Sequence, residues 1–245
     1  MRRLTFAMFV FAASFFVNAG FNAAAMTFHA TPPTLYLGGA AVESDRAGWD
    51  EAMNRFGGAL TTIVFHQSGG GDPSTARYIG RDIRKRNFGT AVYGRCTSAC
   101  ATMFLGGTIR QFATAASNPK STVLGFHGRY NQTTKALVRK SSSDYFLEMT
   151  DGKMSAEFIE KFTRIENKKG LLRLIHPAQS LQEKAPLAML CKGNELAAKR
   201  NQQCEHLDGV DALTQGVVTT WEQREIIAPR APSNDKVTVK SWQKN

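Results

Sequence analysis

The chain has 245 residues, of which 42% are hydrophobic, and its formal net charge is +11. This length and apolar content suffice for a buried core, so we expect one folded domain. The positive charge predicts a general attraction to anionic surfaces. The lysines and arginines are scattered and match no zinc-finger, helix-turn-helix or RNA-recognition pattern, so no specific nucleic-acid partner is predicted.

The N-terminus has the three parts of a secretory signal peptide. Arg2 and Arg3 precede an apolar run over residues 4–17, and small residues follow up to Ala25. A membrane-spanning helix needs about 20 apolar residues, and neither this run nor any later one reaches that length. We therefore expect a signal peptide at 1–25, with a second possible cut after Ala19. The mature chain is expected to have no transmembrane segment and to be periplasmic or secreted.

From Thr34 onward, strand-like and helix-like segments alternate, which predicts an α/β fold of stacked βαβ-type units. In chain order we predict a strand at 34–37, a helix at 44–56, a strand at 60–65, a helix starting at 72–73, a strand at 90–93, a turn at 94–97, a helix at 98–105, strands around 112 and at 123–126, a loop or exposed helix at 130–153, a helix from 155, an ambiguous stretch at 171–190, a helix at 210–215 and a strand at 216–220. The domain is expected to span 26–228 and to be followed by a poorly ordered tail at 229–245.

Two positions at strand ends are candidates for nucleophilic chemistry. Ser98 lies where a strand turns sharply into a helix, a position that projects a hydroxyl into a cleft. His127 follows the strand at 123–126 and is the candidate general base. Each residue also has a common structural explanation, as a helix cap or as a hydrogen-bonded histidine.

A glycine turn between strand and helix supplies a third part. Gly69, Gly70 and Gly71 let bare backbone approach a substrate, so their N–H groups could join that of Ala99 in holding an oxyanion. Such turns are common in α/β folds and alone indicate little. The order of serine turn, histidine strand and glycine turn along one chain favours a hydrolase.

Four cysteines are permitted to form disulfides if the chain is exported. Cys191 and Cys204 are the predicted pair, because they lie in a polar, loop-like stretch where a bridge closes a short loop. Cys96 and Cys100 flank Ser98, and the sequence leaves open whether they pair with each other, pair elsewhere or stay reduced.

No metal and no cofactor is predicted. The histidines and cysteines have no metal-ligand spacing, and His66 with His127 is the only pair to consider. The glycine turn at 68–72 has neither the dinucleotide-binding spacing nor a Walker lysine.

The order of these motifs resembles the proteolytic subunit of the Clp protease and its exported relatives, within the crotonase-like superfamily. The segments that carry the resemblance are LYLGG at 35–39, HQSGG at 66–70, CTSACA at 96–101, LGFH at 124–127 and, more loosely, residues 211–220. The resemblance implies stacked ββα units wound into a superhelical spiroid. It also implies Ser98 as nucleophile, His127 as base and the backbone of Gly70 and Ala99 as oxyanion donors. A peptide or protein substrate and a homo-oligomer are further implications.

The third catalytic residue of that family has no counterpart in this chain. The family places an aspartate about fifty positions after the histidine, where this chain has His176. The remaining candidates are Asp144, Asp151, Asp208, Asp211, Lys135, Lys140 and Lys153.

The first functional hypothesis is therefore a periplasmic, ATP-independent serine hydrolase of the peptidase type. The main alternative is a catalytically silent module of the same fold that serves binding or assembly. A crotonase-type enzyme acting on acyl thioesters fits an exported chain poorly, because coenzyme A is a cytosolic reagent.

Overall fold

A computed structural model describes residues 25–116, 121–131, 133–138 and 143–227. The strands are β1 (Thr27–Thr31), β2 (Thr34–Gly38), β3 (Thr62–Ser68), β4 (Gly89–Thr97), β5 (Arg110–Thr114), β6 (Val123–Phe126), β7 (Arg129–Tyr130), β8 (Leu137–Val138), β9 (Leu171–Leu174), β10 (Ala188–Cys191), β11 (Glu205–His206) and β12 (Arg224–Glu225). The α-helices are α1 (Asp45–Phe56), α2 (Pro73–Lys85), α3 (Ala99–Phe104), α4 (Ser143–Met149), α5 (Ala156–Thr163), α6 (Pro177–Glu183) and α7 (Arg200–Gln203), and 3₁₀ turns lie at Gly57–Ala59 and Ala197–Lys199.

The main sheet is parallel at its centre and antiparallel towards both edges. Its strand order is β1-β2-β3-β4-β6-β9-β10-β11, with β5 beside β4 and β12 beside β5. The strands β2 to β6 run parallel to one another and β12 runs parallel to β5, whereas β1 and β9 to β11 pair antiparallel with their neighbours. The predicted α/β class is confirmed by this architecture.

Successive residues of the central strands are buried alternately in two apolar clusters, one on each face of the sheet. Leu35, Ile63 and Val92 belong to the larger cluster. Their strand neighbours Val64 and Ala91 belong to the smaller one. Because successive side chains of a strand point to opposite faces, strands buried on both sides are apolar almost throughout.

Helix α2 begins where the sequence predicts. The Asp72 carboxylate accepts a hydrogen bond from the Thr75 N–H at 2.6 Å, which caps the first turn. Its buried stripe of Ala76, Ile79 and Ile83 packs into the larger cluster. The cap fixes the helix directly after the glycine turn, which is thereby held beside the sheet.

The predicted turn at 94–97 is wrong, because β4 continues to Thr97. Gly94 has φ +76°, and the pairing of β3 with β4 shifts by one residue between His66 and Ser68. This shift is a β-bulge, which the positive φ of Gly94 permits, so the strand continues beyond Gly94 instead of ending there.

The stretch at 130–153 is also more ordered than predicted. It contains the β7–β8 hairpin and helix α4, whose Tyr145, Phe146 and Met149 are buried. These three apolar residues lie among many polar ones, so the composition of the stretch does not indicate a buried helix. The ambiguous stretch at 171–190 forms β9, α6 and β10, and the hairpin strand β1 was not predicted.

The predicted helix at 210–215 and strand at 216–220 are wrong. The segment forms turns, with the Asp211 carboxylate accepting from the Leu213 and Thr214 N–H groups at 2.7 and 2.8 Å. The buried Arg110 side chain donates to the carbonyls of Gly216 and Val217. Side-chain partners thus satisfy the polar backbone groups that a strand ladder would otherwise satisfy.

The predicted disulfide between Cys191 and Cys204 is present. None of the described helices is both long enough and apolar enough to cross a membrane. The predicted signal peptide at 1–25 lies outside the described residues apart from Ala25, and the predicted tail at 229–245 lies entirely outside them. The domain limits 26–228 stay a prediction.

Candidate functional site

Ser98 occupies a strained turn between β4 and α3, with φ +59° and ψ −124°. Few residues other than glycine adopt such a conformation, and it persists only where neighbours enforce it. The Ser98 N–H donates to the Gly125 carbonyl at 2.8 Å, and the Ser98 carbonyl accepts from the Thr102 N–H at 3.0 Å. Both backbone groups are therefore used by the sheet and the helix, while the side chain is left to line a cavity. This is the geometry of a nucleophile elbow.

A disulfide between Cys96 and Cys100 spans the same turn. Both cysteines are fully buried, whereas Ser98 keeps part of its surface exposed. The bridge joins the end of β4 to the first turn of α3, so it fixes Ser98 between them without covering its hydroxyl. This resolves the pairing that the sequence left open.

The glycine turn packs directly against Ser98. A Cβ atom placed on Gly70, which has φ +106°, would lie 2.6 Å from the Ser98 Cβ and 3.0 Å from its Oγ. The turn is held from its other side by Ala41, whose N–H donates to the Gly70 carbonyl and whose carbonyl accepts from the Asp72 N–H, both at 2.8 Å. The glycine turn thus lies in close contact with Ser98, and its approach to a substrate stays a prediction.

Three N–H groups near Ser98 are candidates to hold an oxyanion. The Gly70 N–H makes one long contact to the Ser68 Oγ at 3.4 Å. The N–H groups of Gly71 and Ala99 donate no hydrogen bond to any other described residue. Gly71 and Ala99 line the Ser98 cavity, whereas Gly69 lines a neighbouring one.

His127 is held in the tautomer that a general base requires. Its Nδ1 lies 2.6 Å from the Gly128 carbonyl oxygen. Because a carbonyl can only accept, Nδ1 donates, and the neutral ring keeps its free electron pair on Nε2. Burial lowers the pKa of His127 below 6.5, and the Gly128 hydrogen bond only partly offsets this effect. The ring is therefore neutral at neutral pH.

Ser98 and His127 line one cavity of about 610 Å³. The hydrogen bonds of the described residues include none between the Ser98 Oγ and the His127 ring. Catalytic contacts are often long in the ligand-free state and tighten when substrate binds. The structure thus brings the two predicted residues to the same cavity but does not pair them.

No acidic side chain among the described residues forms a hydrogen bond with the His127 ring. Among the described residues, the cavity is lined by one carboxylate, that of Asp72, which caps α2. The other predicted acids lie elsewhere: Asp144 in α4, Asp151 paired with Arg84, and Asp208 and Asp211 in the turns after β11. The Gly128 carbonyl is the group that orients the His127 ring.

The remaining candidates for the third catalytic position are a histidine and three lysines. His176 is structural, since its Nε2 lies 2.8 Å from the Trp221 carbonyl and its Nδ1 accepts from the Ala178 N–H. Lys135 lines the Ser98 cavity, and Lys153 does not. Lys140 lies outside the described residues.

The described residues contain one group with metal-ligand spacing, formed by Cys191, Glu195 and Cys204. Its two cysteines are joined in a disulfide, so they offer no thiolate to a cation. His66 lies beneath Gly38, where its ring would be 2.7 Å from an added Cβ, and it lines neither cavity near Ser98.

No protein-family model matches the sequence, and no curated protein matches it. Similar solved structures include an enoyl-CoA hydratase/isomerase from Marinobacter aquaeolei, with a TM-score of 0.43 and 9% identity over 83% of this chain and 70% of that one. The 1510-N membrane-bound stomatin-specific protease has a TM-score of 0.43 and 13% identity, over 81% of this chain and 96% of that one. A methylmalonyl CoA decarboxylase has a TM-score of 0.39 and 10% identity, over 66% of this chain and 65% of that one. Acyl-CoA enzymes and a protease are thus similar to a comparable degree, so the functional argument rests on the site itself.

Proposed function

We propose that the protein is an exported serine hydrolase of the Clp-protease/crotonase-like superfamily that cleaves peptide-like bonds without ATP. The observation that carries the proposal is the strained Ser98, at φ +59°, with its hydroxyl lining a cavity that His127 also lines. A strained backbone held by a disulfide and by two hydrogen bonds costs free energy, and such strain clusters at functional sites.

In the proposed reaction, the Ser98 Oγ attacks the substrate carbonyl while the His127 Nε2 takes the hydroxyl proton. The N–H groups of Ala99 and of the glycine turn, Gly70 and Gly71, stabilise the oxyanion that forms. The imidazolium returns its proton to the leaving amine, and water then hydrolyses the acyl-enzyme by the same route. Ser98 is thereby regenerated.

The Gly128 carbonyl takes over the orienting role of the missing acid. Its hydrogen bond with Nδ1, at 2.6 Å, fixes the tautomer and is strengthened when the ring becomes positively charged. A carbonyl dipole stabilises an imidazolium less than a full negative charge does. We therefore expect a slower enzyme than one with a Ser-His-Asp triad.

The test is labelling with a fluorophosphonate probe, which reacts covalently with activated serines. We expect labelling of the purified protein and its loss in Ser98→Ala and His127→Ala variants that retain the folded circular dichroism spectrum. Ser155→Ala is the matched control, because Ser155 caps helix α5 and lies outside the cavity. Labelling that survives Ser98→Ala would place the reactive group elsewhere.

The second candidate function is a catalytically silent binding or assembly module. Two observations on the described residues favour it: Ser98 and His127 form no hydrogen bond with each other, and no acidic side chain forms a hydrogen bond with the imidazole. Absence of labelling, combined with retained binding of peptides in the cavity, would favour this function. The implied homo-oligomer is tested separately by sedimentation velocity.

We also propose export with cleavage after Ala25. Support comes from the Met26 N–H, which lies 3.2 Å from both carboxylate oxygens of Asp45, a residue only 4% exposed. One amide proton cannot serve two oxygens well, whereas the ammonium group of a cleaved chain has three protons. Asp45 has no other cationic partner among the described residues, and the two disulfides suit an oxidising compartment. The intact mass of the exported protein should correspond to a start at Met26; a start at residue 20 would contradict the proposal.

A further inference from the structure

A second cavity, of about 420 Å³, adjoins the Ser98 cavity. His127 and Lys168 line both, so a ligand that fills one can extend into the other. The charged side chains that line the second cavity are five cations and one acid: Arg95, Lys168, Lys169, Arg173, Arg200 and Glu195.

The register of the sheet places two of the arginines on one face. Arg95 of β4 pairs with Val123 of β6, and Arg173 of β9 pairs with Gly125 of β6. Paired residues project to the same face, as do residues two apart in one strand, so Arg95, Val123, Gly125 and Arg173 share a face. A Cβ added to Gly125 would lie 2.6 Å from the Leu171 Cδ2 and 2.7 Å from the Thr97 Cγ2, so these two side chains cover Gly125 on this face. His127, two residues beyond Gly125, lies at the end of the same row.

The arginine side chains of this cavity form no hydrogen bond and no ion pair with any other described residue. The Arg173 Nε is buried and makes no hydrogen bond. Neither Arg95 nor Arg200 has an ion pair with a described acid. Glu195 accepts hydrogen bonds from the N–H groups of Lys192 and Gly193, so its charge is already engaged by backbone. An unpaired, buried guanidinium donor costs free energy unless a ligand satisfies it.

Burial and the neighbouring Arg200 lower the pKa of Arg173, and the charge of Glu183 only partly offsets this effect. Another basic cavity, lined by Arg46 and Arg81, has arginines that do have protein partners. There Arg46 donates to Ser74 and Thr75, and Arg81 pairs with Glu148 at 3.1 Å. Positive charge alone therefore does not distinguish the two cavities, whereas the unsatisfied donor does.

We propose that the cavity around Arg173 is an anion subsite that binds a carboxylate of the peptide substrate next to His127. Arg173 and Arg95, which line this cavity together, bind the carboxylate, because a guanidinium fork matches a carboxylate in geometry and charge. The substrate class is thus an acidic peptide, whose carboxylate is either an Asp or Glu side chain or the C-terminus. This inference rests on the proposed hydrolase function for its substrate, but the binding step stands without hydrolysis.

The experiment measures peptide binding by isothermal titration calorimetry in the Ser98→Ala protein, so that no hydrolysis occurs. The probes are an N-acetylated hexaglutamate amide, an N-acetylated hexaglutamine amide, and the same glutamine peptide with a free C-terminal carboxylate. We expect at least one carboxylate-bearing probe to bind about tenfold or more tightly than the neutral amide, as a charged hydrogen bond would give. If the hexaglutamate amide binds more tightly than the free-acid glutamine peptide, the subsite recognises a side-chain carboxylate. If the free-acid glutamine peptide binds more tightly, the subsite recognises the C-terminus.

The matched variants separate the subsite from general attraction to a protein of charge +11. Arg173→Gln and Arg95→Gln, each in the Ser98→Ala background, should each weaken binding of the preferred probe about tenfold. Arg81→Gln removes the same charge from the other basic cavity and should leave binding unchanged. Arg95 is solvent-exposed, so its variant tests the subsite even if Arg173→Gln lowers stability. Equal losses in the Arg95 and Arg81 variants, or equal affinity for all three peptides, would overturn the proposal, whatever the outcome of fluorophosphonate labelling.

Discussion

Gly70 and Ser98 are in direct contact, and the space between them admits no further carbon atom. A Cβ on Gly70 would lie 2.6 Å from the Ser98 Cβ and 2.9 Å from the Thr97 carbonyl oxygen. The two residues belong to different strand-to-helix junctions, which lie side by side because β3 and β4 are neighbours in a parallel sheet. The glycine is therefore required both by its backbone conformation and by the serine that it supports.

Gly70→Ala should consequently disturb the site more than the fold. We expect it to abolish fluorophosphonate labelling and to lower the free energy of unfolding by about 1–3 kcal/mol, the usual cost of overpacking. Gly152→Ala is the control, since Gly152 also has positive φ, +74°, but nothing lies within 4 Å of its added Cβ. Unchanged labelling in the Gly70 variant would show that the turn does not support Ser98.

The pH dependence of labelling should report His127. The imidazole accepts a proton only when neutral, and burial lowers its pKa below 6.5. The labelling rate should therefore fall to half its maximum only below pH 6.5, as the ring becomes protonated. A rate that is already half-maximal above this pH would contradict the assigned environment of the ring.

Removing the Cys96–Cys100 bridge should separate activity from stability. The loop-entropy model assigns about 2 kcal/mol to a bridge between cysteines four residues apart and about 3 kcal/mol to one between cysteines 13 apart. A Cys96→Ala/Cys100→Ala variant should lose labelling, because the strained Ser98 turn can relax. A Cys191→Ala/Cys204→Ala variant should lose at least as much stability yet be labelled normally while folded. Equal labelling of both variants would contradict a role of the first bridge at the site.

Arg110 should be a major stabilising residue, although it lies outside the site. It is 2% exposed and donates to the carbonyls of Gly107, Val217 and Gly216 at 2.5, 3.1 and 2.8 Å. Arg110→Met removes the donor to these carbonyls, of which only that of Gly107 has another, from Arg84 at 3.4 Å, and should lower the free energy of unfolding by about 3 kcal/mol in urea titrations. Arg55→Met, at an exposed position of α1, should change it by less than about 0.5 kcal/mol. Similar midpoints for the two variants would refute the assigned role.

The segments with strong local signals were predicted well. The Asp72 cap and the apolar stripe of α2 are encoded within a few residues, so the helix could be identified from the sequence alone. The turns at 211–220 could not, because their conformation depends on Arg110, about a hundred residues earlier in the chain. The Arg173 cavity was missed for the same reason, since its arginines are scattered along the sequence and meet only through the strand order.

By itself, the sequence determined the α/β class, the Cys191–Cys204 bridge and the positions of Ser98, His127 and the glycine turn at strand ends, because capping, alternation and turn chemistry act over short distances. Only the tertiary structure decided that Gly70 contacts Ser98, that Cys96 pairs with Cys100 and that the Gly128 carbonyl orients His127. Contacts between neighbouring strands depend on register and on the closure of the whole sheet, and no local pattern encodes them.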